Sequence, residues 1–191
     1  MKHSLLLAVL LATAGVAQAD VVAPYAGVEY QYQAGRSGTA DAHVGTFTVG
    51  NHFGSSFAAE LVGESSDKKN TTQALTDMIE LAGVFSASVG PVTGYARVAI
   101  GDEIVSGASS FPYYSVEPGV KLAVASDTIV KLGYRLRNAN DTSGNHAFHT
   151  ETVRVGVEQK LTKSLDLTAG ADRSYGDRKY NSVQVGLVAH F

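Results

Sequence analysis

His146, His149 and Glu151 form a His-x-x-His-x-Glu pattern with Asp141 close by, a set able to ligate a metal or supply a general base. The preceding stretch, 138–145, is rich in Asn, Asp, Ser and Gly, where an exposed histidine needs no functional reason. The chain has no Cys, so thiolate nucleophiles, disulfides and Cys-ligated metals are excluded. No catalytic residue, metal site or cofactor is therefore expected. The second chemistry-bearing set is ionic. Arg97, Lys121, Lys131, Arg135, Arg137, Arg154 and Lys160 recur among apolar residues. Arg135 and Arg137 are two apart, so both point to one side of an extended chain. Such a track suits carboxylate or phosphate groups. Glu29, Glu60, Glu64, Glu80, Asp166 and Asp172 recur in the same manner elsewhere.

Strands must position these residues, because apolar and polar residues alternate with period two almost from end to end. The last strand is the clearest, with Val183, Val185, Leu187, Ala189 and Phe191 on one face. The strand from Val92 sets Ala96, Val98 and Ile100 against Thr93, Tyr95, Arg97 and Ala99. The following three strands place Lys121, then Lys131, Arg135 and Arg137, then Arg154, Glu158 and Lys160 opposite apolar stripes. Earlier strands are expected near 24–34, 42–51, 57–65 and 76–89, and the ninth near 165–174. In the second of these, Phe47 and Val49 fit either face. Pro118 inside a strand suggests a bulge. Short turns alternate with longer polar loops, which with an even strand number is the plan of a transmembrane barrel. Ten strands fit best, eight being the alternative.

The ends and the composition bound the class. Lys2 and His3, the apolar run from Leu5 to Ala14, and Ala17-Gln18-Ala19 read as a cleaved export signal over 1–19. Residues 20–191 then form one domain. Nothing after the signal is an apolar span of helical membrane-crossing length. The net charge of −3 shows no basic block, so nucleic acid is not an expected partner. The chain is 45% hydrophobic with 20 Gly and four Pro, which suits an all-β protein with one greasy face.

A soluble sandwich would turn the mid-strand charges into a dry core, at several kcal/mol each unless paired. A closed barrel in lipid instead turns the apolar stripe to hydrocarbon and the charges to a lumen, and closure satisfies every backbone group. The expected fold is thus an all-β, closed, antiparallel up-and-down transmembrane barrel.

The alternating last strand ending in Phe191 resembles the assembly signal of bacterial outer-membrane proteins. That resemblance implies that Val183, Val185, Leu187, Ala189 and Phe191 are read by the barrel-insertion machinery. The segments 24–30 and 113–120 resemble those of small outer-membrane barrels and porin-like families. More distantly the chain resembles the oligogalacturonate-type monomeric porins, which have twelve strands and bind acidic sugars through lumenal basic tracks. The resemblance implies a Gram-negative outer-membrane location, a monomer, and contact with membrane lipid and lipopolysaccharide. The chain has no Trp, so Tyr25, Tyr30, Tyr32, Tyr114 and Tyr134 are expected at the membrane interfaces.

Sorting the inward residues by strand predicts two walls. Arg97, Lys121, Lys131, Arg135, Arg137, Arg154 and Lys160 form a basic arc, with Glu117 and Glu158 among them. Glu29, Glu60, Glu64, Glu80, Asp166 and Asp172 form an acidic arc. If the walls stay apart, a small channel preferring anionic solutes results. If they touch, salt bridges plug the barrel, and its loops bind a partner or host surface instead. Gly27, Gly119, Gly133, Gly156, Gly170 and Gly186 point inward and either widen the lumen or seat a neighbour's ring. Outer-membrane enzymes include proteases with acidic and His residues at the rim and lipid A deacylases with Ser and His. No Ser here sits in the deacylase arrangement, and the His146, His149 and Glu151 set follows an ordinary polar loop, so an enzyme is not expected.

Overall fold

The computed structural model describes residues 21–68, 76–105, 110–139 and 148–191. The alternation resolves into ten strands: β1 (Val21–Gly35), β2 (Ala42–Phe53), β3 (Phe57–Lys68), β4 (Thr76–Val89), β5 (Val92–Val105), β6 (Phe111–Ala125), β7 (Thr128–Ala139), β8 (Phe148–Lys160), β9 (Leu165–Gly176) and β10 (Tyr180–His190). Each pairs antiparallel with its sequence neighbours, and β1 pairs with β10 from Tyr25↔His190 to Gly35↔Tyr180. The barrel is therefore closed and has no edge. Among the described residues there is no helix. The signal segment 1–19 and His146 lie outside the described residues.

Connections of two to four residues at 54–56, 90–91, 126–127 and 161–164 lie at the end where β1 begins and β10 finishes. The junctions β1–β2, β3–β4, β5–β6, β7–β8 and β9–β10 fall at the other end of the strands. By the usual arrangement of such barrels the first end is periplasmic and the second extracellular. Gly90 opens a two-residue turn with φ at 61°, a conformation that costs glycine little.

Period two sorts each strand into a lumenal and an outer face. The outer face is an apolar belt: Leu81 is 57% exposed, Ile100 65% and Val183 61%. These residues are exposed to hydrocarbon rather than misplaced. Phe47, 52% exposed, settles β2, because Thr46 and Thr48 line the interior. The two rims differ in chemistry. At the extracellular end Tyr30, Tyr32 and His43 pack ring to ring, and Tyr114 of β6 and Tyr134 of β7 stand outward on the other side of the barrel. At the periplasmic end Phe53, Phe57 and Phe85 stack in a row. Tyrosine and phenylalanine thus supply the aromatic girdles without Trp.

Two sequence expectations are corrected. Pro118 makes no bulge: its register with β5 runs unbroken through Ala96↔Pro118. On the β7 side pairing lapses at residues 117 and 118 without a register shift, which is where a missing N–H goes unneeded. Tyr25 belongs to no girdle. It shares parity with Gly27 and Glu29, and its hydroxyl reaches into the lumen.

Candidate functional site: the charged lumen

The inward residues enclose a cavity of about 490 Å3. It reaches from Gln33 and Tyr180 near the extracellular end to His52 and His190 near the periplasmic end. All six residues of the expected acidic wall line it: Glu29, Glu60, Glu64, Glu80, Asp166 and Asp172. Six of the seven expected basic residues do so too: Arg97, Lys121, Lys131, Arg135, Arg137 and Arg154. Lys160 has lumenal parity but sits at the last residue of β8, exposed beside the periplasmic turn, and is not part of the wall.

The walls touch. Arg97 bonds Glu60 at 2.9 Å and also pairs with Glu80, joining β5 to β3 and β4. Arg137 reaches Glu80 at 3.7 Å. Glu117 takes two guanidinium groups on one oxygen, Arg135 at 2.7 Å and Arg154 at 3.2 Å. Arg154 also bridges to Asp172 at 3.3 Å, and Lys131 pairs with Glu158. Charges this buried need such partners, since an isolated one costs several kcal/mol. Among the described residues no ion pair engages Glu29, Glu64 or Lys121; the Lys121 ammonium lies 5.7 Å from the Tyr95 ring centroid.

Three tyrosines tie this network to the wall, a feature missed in the sequence. Tyr25 faces Gly50, Tyr95 faces Gly119, and Tyr113 faces Gly101, each pair directly opposite in register. A Cβ at any of these glycines would overlap the opposing ring. The rings therefore lie along the wall, and their hydroxyls donate to carboxylates: Tyr25 to Glu60 at 2.7 Å, Tyr95 to Glu117 at 3.0 Å and Tyr113 to Glu80 at 3.1 Å. Gly133 also borders Tyr95. The glycines thus seat rings rather than opening space at those positions. The repeated pairing of an inward Tyr with an inward Gly on the next strand was the available signal.

Near the extracellular mouth the lumen turns apolar. Met78, Phe111, Tyr113, Ala139 and Phe148 pack as a buried cluster inside the barrel. Arg178 stands 4.0 Å from the Phe148 ring centroid and bonds both oxygens of Glu103, at 2.6 and 2.8 Å. Arg137 stacks on Tyr113 at 5.0 Å. On the opposite wall Gln31 bonds Asp172, Ser182 and Gln184, drawing β1, β9 and β10 together.

His149 and Glu151 stand on the outer face of β8, 3.2 Å apart, with Tyr134 donating to Glu151 at 2.6 Å. Among the described residues no cluster of His, Asp and Glu has the makings of a metal site. In β10, Val183, Val185 and Leu187 face outward. Ala189 continues that row, and exposed Phe191 donates its N–H to the Pro24 carbonyl at 3.0 Å.

No protein-family model matches the chain, and no curated protein matches its sequence. Solved structures do match its shape. An outer-membrane channel of the COG4313 group from Pseudomonas putida F1 is 12% identical with a TM-score of 0.59, over 88% of this chain and 95% of that one. The translocator domain of the autotransporter NalP from Neisseria meningitidis is 12% identical with a TM-score of 0.50, over 95% and 93%. The KdgM porin is 13% identical with a TM-score of 0.48, over 87% and 99%. The apolar belt, the closed ladder and the first two of these likenesses make the chain a transmembrane β-barrel of the outer-membrane type.

Proposed function

We propose that this monomeric barrel is a narrow passive conduit for small polar solutes, restrained by its own salt bridges and by the aromatic cluster at its extracellular mouth. The observation that carries the reading is the charged cavity of about 490 Å3 extending along the lumen between residues near both ends. A barrel built only as a membrane scaffold needs no such space.

The preference expected for anions rests on free arginines, and here Arg97, Arg135, Arg137 and Arg154 are each engaged by carboxylates. Eight carboxylates and six Lys or Arg line the cavity, and the two unpaired carboxylates, Glu29 and Glu64, outnumber unpaired Lys121. We therefore propose weak selectivity leaning toward cations and neutral solutes. No catalysis is assigned, because His149 and Glu151 are spent on each other and on Tyr134 at the outer face.

Purified barrel in a planar bilayer should show a small, steady conductance, with a reversal potential displaced modestly toward the cation value in a salt gradient. Electrical silence across independent preparations that still migrate faster unheated than boiled would overturn the conduit. A purely structural barrel would then stand in its place.

A further inference from the structure

At the extracellular rim two guanidinium groups share one exposed ring. Arg173 lies on the outer face of β9, between Val153 of β8 and Asn181 of β10. Tyr175 follows two residues later on the same face and is 40% exposed. Arg36, just past β1, donates from Nη2 to the Ser174 carbonyl at 2.7 Å, and its backbone N–H bonds the Lys179 carbonyl. The guanidinium carbons of Arg36 and Arg173 stand 5.5 and 5.4 Å from the Tyr175 ring centroid.

Nearby carboxylates do not neutralise this pair. Glu151, opposite Tyr175 in register, accepts from Tyr134 and lies against His149. Asp177 accepts the His149 backbone N–H, and Asp41 accepts the Gly35 N–H and the Tyr32 hydroxyl. Among the described residues no carboxylate bridges Arg36 or Arg173, and the buried Arg36 Nε has no hydrogen-bond partner. Exposed Lys179 adds a third cation beside them. Stacking on a ring face leaves the in-plane N–H donors not already used by Ser174 available, and paired arginines match the oxygens of a phosphate. Long cationic side chains at the edge of an apolar belt reach toward the headgroups.

We propose that Arg36 and Arg173, stacked on Tyr175, form a clasp for a phosphate group of an outer-leaflet glycolipid of the lipopolysaccharide type. The occupant is a lipid rather than a free anion because Arg173 rises from the apolar outer row that Val153 and Val183 present to hydrocarbon. The clasp rests on the outer-membrane reading of the barrel and is independent of conduction.

The test uses the full barrel in detergent, with native mass spectrometry reading the lipid retained. The probes are diphosphorylated lipid A, dephosphorylated lipid A and inorganic phosphate. Wild type should hold the phosphorylated lipid about tenfold or more tighter than the dephosphorylated form, as expected for charge-assisted bonds. Arg36→Gln with Arg173→Gln should abolish that difference, whereas Lys163→Gln at the periplasmic turn should leave it intact. Arg173→Gln alone covers the case in which the double variant fails to become heat-modifiable. Conductance should be unchanged in every folded variant, so loss of the clasp and loss of the conduit read separately. Equal binding of the two lipid A forms by wild type, or full binding by the Gln variants, overturns the clasp. Competition by inorganic phosphate at similar affinity overturns its assignment to lipid.

Discussion

Glu117→Gln is the sharpest probe of the lumen, because the side chain keeps its shape and loses only its charge. Glu117 is 6% exposed and serves three donors: Arg135 at 2.7 Å, Arg154 at 3.2 Å and the Tyr95 hydroxyl at 3.0 Å. An amide can still turn its oxygen to the guanidinium pair and its NH2 to the Tyr95 oxygen, so three contacts survive. The Tyr95 bond becomes neutral, and the guanidinium contacts keep the arginine charge but lose the ion-pair attraction. A hydrogen bond to a charged group contributes about 1.5–3 kcal/mol and a neutral one about 0.5–1.5, so the Tyr95 bond loses about 1 kcal/mol, and each guanidinium, left facing a neutral oxygen, loses about 0.5–1 kcal/mol. Arg154 retains Asp172, while Arg135 is left without an ion pair. The sum, about 2–3 kcal/mol, lies below the ~3–5 kcal/mol for breaking a buried pair, as it should with Arg135 and Arg154 side chains 20% and 23% exposed. This corresponds to roughly 30- to 150-fold in the unfolding equilibrium. The chain lacks Trp, so urea unfolding in detergent should be followed by far-ultraviolet circular dichroism and by loss of the fast-migrating gel band. The same variant unmasks Arg135, so its reversal potential should move toward the anion value. Stability within about 0.5 kcal/mol of wild type, with an unmoved reversal potential, would refute the claim that these pairs hold and filter the lumen.

Two further changes test the packing of each face. Gly119→Val should destabilise the barrel by about 1–3 kcal/mol, since the new side chain displaces the Tyr95 ring and its bond to Glu117. The cost should fall sharply in a Tyr95→Ala background, which a double-mutant cycle by urea unfolding would show. Leu81→Lys places a charge near the middle of the lipid-facing belt and should cost about 2–4 kcal/mol, read as lowered stability after refolding into lipid vesicles.

Strand positions were legible because the two faces of each strand meet opposite solvents. Where apolar residues occur on both parities, as with Val44 against Phe47 and Val49 in β2, alternation alone was silent, and the exposure of Phe47 with Thr46 and Thr48 lining the lumen assigned it to lipid. Tyr25 was read as an interface residue from its type, although its parity with Gly27 and Glu29 already pointed inward. Amphipathic tyrosine suits either place, so type was the weaker guide. Wall membership was also legible, but not partnership: whether Arg154 meets Glu117 or Asp172 depends on the stagger of strands around the barrel, which no single strand encodes. Lys160 shows the matching limit along the axis. Its parity is lumenal, yet it lies past the level of the cavity at the end of β8.

The glycines decide how wide this lumen is. Taken singly, inward glycines at mid-strand remove volume and argue for an open channel. Taken with register, Gly50, Gly101 and Gly119 return that volume to the rings of Tyr25, Tyr113 and Tyr95, and those rings press their hydroxyls onto the carboxylates that hold the arginines. Gly27 and Gly156 seat no ring and line the cavity itself. Ten strands give a lumen near the size that side chains fill, so the remaining passage exists only where neither ring nor salt bridge intrudes. Widening it requires parting pairs such as Arg135–Glu117, whose loss the Gln variant reads as stability and charge selectivity together. If conduction rises in Glu117→Gln while stability falls, one set of contacts sets both the rigidity of the barrel and its permeability.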